Sequence, residues 1–295
     1  MSALEVAADH ARSRARLAEK LRLEAREAWA RVDPAHISET WAAQIPRLLL
    51  LVTAGQHAAA VTADRYVAEA LVEQGLNPVT EGRLDAAALS GIAADGRPLE
   101  SLLAQPGITV KVALAGGQTL ERAMAGGGAL AELIAHTQVA DAGRVADQVA
   151  LTSRRHATGF VRMVVGKSCS RCIVLAGRWY RWNAGFNRHP HCDCTGIPAP
   201  ESADDLRTDP KKLFASMSQA EQDQVFGKAG AQAIREGADI GRVVNARRGM
   251  QTADGRLYTT EAAGRRPRLM PEQIFRDVKD RDDAIRLLKL HGYIL

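Results

Sequence analysis

Between residues 3 and 31, apolar side chains return every three to four positions, at Leu4, Ala7, Ala8, Ala11, Ala15, Leu17 and Leu21, with charged residues between them. That spacing matches a helix with one buried face and does not fit a strand, whose faces alternate every second residue. Asp33-Pro34 ends the pattern, because the residue before proline avoids the helical region. A second helix is expected from about Ser38 to Glu73, with Pro46 kinking it or marking a restart. Gly75 to Pro78 is a break, and residues 80–100 look irregular around Gly91, Gly96 and Pro98.

Further helices are expected near 98–105, 108–124 and 128–163, interrupted by Gly116-Gly117 and Gly126-Gly127-Gly128. Composition supports a helical reading. Aromatic residues are only 4% of the 295 and alanine is abundant, whereas sheets favour aromatic and β-branched residues. The aromatics also divide the chain: Trp29, Trp41 and Tyr66 precede residue 159, and the other ten lie between Phe160 and Tyr293. Two halves with different core chemistry are expected, an elongated helical half over 1–158 and a small α+β domain with a Cys-rich insert over 159–295. In the second half, Ser218-Gln219-Ala220-Glu221 has the form of a capping box, so a helix should start at about 219. Gly227, Gly230, Gly237 and Gly241 should cut 219–246 into short helices. Residues 250–269, rich in Gly, Arg and Thr, read as an extended, exposed loop. Pro271 suits a first helical turn, and Asp280 should cap a last helix over 281–290.

The net charge of +5, with pI near 9.2, permits an anionic partner without demanding one. The N-terminus lacks a basic segment followed by an apolar one, and the longest apolar run, Leu48 to Val52, is too short to cross a bilayer. Synthesis in a reducing cytosol is expected. Clustered cysteines there bind metal more often than they form disulfides.

All four cysteines lie between residues 169 and 194. Cys169-Ser-Arg-Cys172 has zinc-knuckle spacing, in which two thiolates three apart grip one tetrahedral ion. Cys192-Asp-Cys194 can supply two more ligands, and His189 stands by as an alternative to one of them. A short strand and turn, from Arg178 to Trp182 and through Asn183-Ala184-Gly185, would let the pairs converge. Trp179, Tyr180, Trp182 and Phe186 would cover the site. A structural zinc site, disulfides formed in an oxidising exterior, and reduced cysteines that simply pack all remain open.

Catalytic patterns fit less well. A zinc deaminase needs H-x-E before P-C-x-x-C, and no histidine here has glutamate two residues on. H-E-x-x-H is absent. A thioredoxin-like C-x-x-C should follow a strand in a βαβ setting, and here a long helix is expected to lead into Cys169. Gly166-Lys167-Ser168 ends like a P-loop, but Val161 holds the place of its first glycine. Arg178, Arg181 and Arg188 among the aromatics could stack and hold single-stranded bases, or could be solvated charges around a hydrophobic cover. His191, like His189, is a spare ligand, while His10, His36, His57, His136, His156 and His291 read as packing or surface residues.

The order Cys169-x-x-Cys172, Trp179 to Phe186, then Arg188-His-Pro-His-Cys-Asp-Cys194 resembles the MuF-like minor capsid and head morphogenesis proteins of tailed phages. The run from Phe226 to Met250, Phe-Gly-Lys-Ala-Gly-Ala-Gln-Ala-Ile-Arg-Glu-Gly at its start, looks like the variant found in phages of actinobacteria, as does Pro271 to Ile294. The resemblance covers roughly residues 145–295. It implies a non-catalytic virion protein inside the capsid, in several copies near the portal, acting in head assembly, DNA packaging or ejection. The portal, other head proteins and packaged DNA are the partners it implies, with no membrane.

Overall fold

The computed structural model describes residues 1–166, 168–185, 194–261 and 267–294. As expected, the described chain is mainly α, with two small antiparallel sheets. It divides into two compact units. The first comprises Met1–Val165 and Trp179–Leu206, the second Gly166–Arg178 and Arg207–Leu295. The expected halves meet at one point, 158/159; the compact units interleave instead, because the strands that follow residue 158 pack on the helices before it.

The first unit is built around α6 (Leu120–Thr152), against which α1 (Ala3–Trp29), α2 (Ile37–Ala60), α3 (Ala63–Val72) and α5 (Gln105–Ala115) pack, with the short α4 (Leu99–Leu103) beside them. Ser2 caps α1 in a complete capping box with Glu5. Pro46 neither breaks nor restarts the second helix. α2 runs through it, and the restart comes after Ala60. The core is mostly alanine and branched aliphatic residues, with Ala18, Leu21, Ala25, Leu48, Val52, Ala131 and Val139 buried together. Small side chains let the helices approach closely, so that Gly126-Gly127-Gly128, expected as an interruption, lies inside α6.

α6 ends at Thr152 and not at 163. The next element is a strand, β1 (Gly159–Met163), which pairs antiparallel with β2 (Trp179–Arg181) on one side and β3 (Thr195–Pro198) on the other. The turn expected after β2 is present at 182–183. Phe160, Val161 and Ile197 join Tyr66, Val67, Leu71 and Leu151 in one apolar cluster, which is what holds this small sheet to the helices.

In the second unit the short α7 (Ser170–Val174) joins α8 (Pro210–Ser216), α9 (Gln219–Phe226), α10 (Lys228–Arg235) and α11 (Ile240–Ala246) around Ile173, Phe214, Phe226, Ala231, Ile240 and Val244. Gly177, at φ 74°, allows this segment to reach 207–209: a Cβ there would overlap the Thr208 carbonyl. The capping box at Ser218 and Glu221 starts α9 as expected. Gly230 and Gly241 sit inside helices, while Gly227 and Gly237 separate them. The expected loop at 250–269 is instead largely a sheet, β4 (Met250–Ala253), β5 (Arg256–Thr259) and β6 (Arg268–Leu269), antiparallel in that order. Asp254, at φ 50°, and Gly255, at φ 72°, form its two-residue turn, the geometry that Asp-Gly favours in hairpins. α12 (Pro271–Asp277) begins at its proline, and Asp280 caps α13 (Arg281–Leu290) through Asp283 N.

Candidate functional site

The cysteines fall in both units. Cys169 is exposed and stands at the N-cap of α7, and Cys172 is buried one turn on. Cys194, also buried, leads into β3 in the first unit, where its carbonyl accepts from Arg144 Nε at 3.3 Å. Cys192 and His189 lie outside the described residues. Among the described residues no group of three or more His, Cys, Asp or Glu is gathered as metal ligands. The donor chemistry of the first pair fits zinc, with two thiols three residues apart at the start of a helical turn.

The helix expected to lead into Cys169 is a strand followed by a loop, so that reason against a thioredoxin-like setting does not hold. Strand order supplies a different one. Every strand pairing among the described residues is antiparallel, whereas that redox motif belongs to a parallel βαβ unit.

The aromatic cover is divided as well. Trp179 packs on the first unit's core and donates from Nε1 to Ala199 O at 3.0 Å. Tyr180 stacks on Phe160 with ring centroids 5.5 Å apart. Trp182 remains 40% exposed, next to the exposed Arg181. Arg178 is exposed in the second unit, and Arg188 and Phe186 lie outside the described residues.

A polar network in the first unit was not expected. His10 on α1 stacks on Tyr66 of α3, with centroids 3.8 Å apart and planes 9° from parallel. His10 Nε2 lies 3.1 Å from Asp147 Oδ1 on α6. Arg14, one turn along α1, also donates to Asp147 and reaches Ala59 O at 2.7 Å. Tyr66 donates from its hydroxyl to Gly196 O in β3 at 2.8 Å. One carboxylate thus joins α1 to α6, and the stacked ring joins them to α3 and the sheet. Beside this network a cavity of about 220 Å³ is lined by Asp147, Arg144, Thr195, Cys194, Val67 and Phe160 among others. Asp147 is already committed to His10 and Arg14. The sequence signal that could have found this site is weak: His10 lies on the apolar face of α1, next to Ala7 and Ala11.

Burial lowers the His10 pKa from its ordinary 6.5, partly opposed by the Asp147 carboxylate. Burial raises that of Tyr66. His10 is therefore neutral at pH 7, and its Nε2–H donates to Asp147. Below 6.5 the unfolded chain takes up the proton before the folded one does. The His10 contribution to stability is thus complete above about pH 6.5 and is lost as pH falls through the depressed folded value. Denaturant midpoints between pH 7 and 5 should fall less steeply for His10→Gln than for the parent chain. His291, whose pKa burial also lowers, will keep part of the slope.

These features define a class, a predominantly helical protein whose buried polar side chains tie helices to one another. The chain matches the profile of the VG15 protein family over residues 1–220 and belongs to that family. This is a family of viral gene products, consistent with a phage protein. No curated protein matches the chain, and neither does any solved structure. No helix among the described residues is long and apolar enough to cross a membrane.

Proposed function

We propose that this chain is a structural, non-catalytic minor capsid protein of a tailed phage, of MuF-like type. On this reading it resides in the virion, inside the head near the portal, and acts in head assembly, DNA packaging or ejection. The family match over 1–220 supports a viral protein, and the MuF-like resemblance over 145–295, which overlaps it, carries the finer role. The extensive helical surface of the first unit suits docking on other subunits. Co-expression with the portal encoded by the same phage should give a complex that co-migrates on size exclusion. Failure to co-migrate, together with absence from purified virions, would sink the proposal.

On the same reading we propose a structural zinc knuckle within the cysteine window, its ligands four cysteines, or three of them with His189 replacing one. Protein purified under reducing, chelator-free conditions should carry about one zinc per chain. Cys172→Ser should release the metal and loosen 165–198 while the helicity of α1 to α6 persists. A zinc content near zero would remove the knuckle and leave the capsid role standing.

A second reading is a zinc-knuckle nucleic-acid binder, favoured by exposed Trp182 beside Arg181. Binding of that kind weakens steeply with salt. It is wrong if changing Arg178, Arg181 and Arg188 to Ala leaves DNA affinity untouched.

A further inference from the structure

Among the described residues β4 is an outer strand, paired on one side only, with β5. All four of its residues are exposed. The hydrogen bonds around it fix which way its main chain points. Thr260 N donates to Gly249 O at 3.1 Å. Leu257 turns away from β4, its N donating to Gln273 Oε1 at 3.1 Å and its O accepting from Met270 N at 3.0 Å. Hydrogen-bonded and non-hydrogen-bonded pairs alternate along an antiparallel ladder. Gln251–Tyr258 and Ala253–Arg256 are therefore bonded pairs, whereas Met250–Thr259 and Thr252–Leu257 are not. Met250 and Thr252 consequently direct their N–H and C=O groups outward, and no described residue takes them up.

Open edges are ordinarily guarded by a charge, a proline or a bulge. Met250-Gln251-Thr252-Ala253 carries no charge and no proline, and its register with β5 is unbroken. We propose that β4 pairs with β4 of a second copy of this chain, antiparallel, about a two-fold axis through Gln251. Met250 of each copy then faces Thr252 of the other, and each such pair exchanges both of its outward main-chain hydrogen bonds. Gln251 meets Gln251, so the two amide side chains can bond across the axis.

Charge selects this register. Beyond each end of the ladder it brings Arg248 of one copy toward Asp254 of the other. Both are exposed, and neither forms an ion pair with another described residue. Shifting the register to set Thr252 opposite itself would place Met250 against Asp254 and lose that match. Self-pairing also leaves a closed dimer with no further free edge on this side.

So short a ladder lies well below the roughly 1,000 Å² of a stable interface, so pairing belongs to high local concentration. Sedimentation velocity of the full chain, from micromolar to near-millimolar, tests it. The average mass should rise with concentration. Thr252→Pro removes the outward donor and spares the β5 ladder, and Thr252→Lys sets a charge on the edge. Each should weaken association at least tenfold with an unchanged circular dichroism spectrum, while Thr252→Ser behaves as the parent. A benzophenone side chain at position 251 should cross-link the copies through that position. A parent chain that stays monomeric throughout overturns the proposal. So does association that both Thr252 variants leave intact, or cross-linking at 251 that reaches any other surface or protein.

Discussion

Gly127→Ala will destabilise the first unit by about 3 kcal/mol, while Gly126→Ala, one residue away, will stabilise it by about 1 kcal/mol. Both glycines lie inside α6 with helical backbone, so intrinsic propensity favours alanine at either by about the same amount. They differ in what a Cβ would meet. At Gly126 nothing stands within 4 Å. At Gly127 the new carbon would sit 2.5 Å from Trp29 Cζ2 and 2.5 Å from Val110 Cγ2. The indole cannot step aside. Its Nε1 donates to Met124 O at 3.0 Å, and Trp41 packs edge-on with centroids 5.0 Å away. Trp41 is fixed in turn by its own bond to Leu103 O at 2.9 Å. Alanine at 127 therefore forces α1 and α6 apart or strips Trp29 of its hydrogen bond. Urea unfolding followed by tryptophan fluorescence will separate the two variants. Equal midpoints would show that the Trp29 contact yields at little cost.

The same glycines show where the sequence could be read and where it could not. Helical periodicity is local, so α1, the capping box at Ser218 and the Asp280 cap could be placed from residues a turn or two apart. The glycine run reads locally as a break. Its use depends on Trp29, nearly a hundred residues away, and no local pattern carries that information. β1 failed for a different reason. All five of its residues are buried, so it lacks the alternation that marks a half-buried strand, and a short buried run can be taken for the end of a helix. The β4–β5 hairpin was legible in principle. Asp254-Gly255 is a strong turn signal, and the surrounding Gly, Arg and Thr drew the segment toward a loop.

The candidate site divides along the same line. The spacing of Cys169 and Cys172 is a local fact and could be read directly. That this pair belongs to one compact unit and Cys194 to the other depends on β3 packing beneath α1 and α3, which the cysteine spacing does not encode. The His10–Asp147 contact joins residues more than a hundred positions apart and has no motif. What the sequence offered was a histidine on the apolar face of a helix, and on such a face an ordinary packing role is the better expectation.

Arg154→Met will cost the first unit about 3 kcal/mol, and a unit of this size loses roughly 2–4 °C of Tm per kcal/mol. Arg154 is 4% exposed and follows the end of α6. Its guanidinium reaches three segments. Nε donates to Pro78 O at 3.0 Å, Nη1 to Asp64 Oδ1 at 3.1 Å and to Ala150 O at 2.5 Å, and Nη2 to Asp64 O at 3.0 Å. The bond to Ala150 occupies a carbonyl in the last turn of α6, where a positive charge also meets the negative end of the helix dipole. Methionine preserves the apolar stem and removes every donor, taking from Pro78 O its guanidinium partner and leaving Ala150 O and the Asp64 carboxylate with only their bonds from Ser153 Oγ at 3.0 Å and Leu84 N at 3.3 Å. Asp64 is about a third exposed, so water recovers part of its share, and the estimate stands at the low end of the range for a broken buried pair. Arg154→Lys keeps the charge but not the fork that spans Asp64 and Pro78 together, and should cost less than methionine but more than 1 kcal/mol. The decisive comparison is Arg154→Met with Asp64→Asn in one chain. If the pair acts as a unit, the double variant will lose less than the two single losses added together. Strict additivity would mean that Arg154 acts through the backbone carbonyls alone.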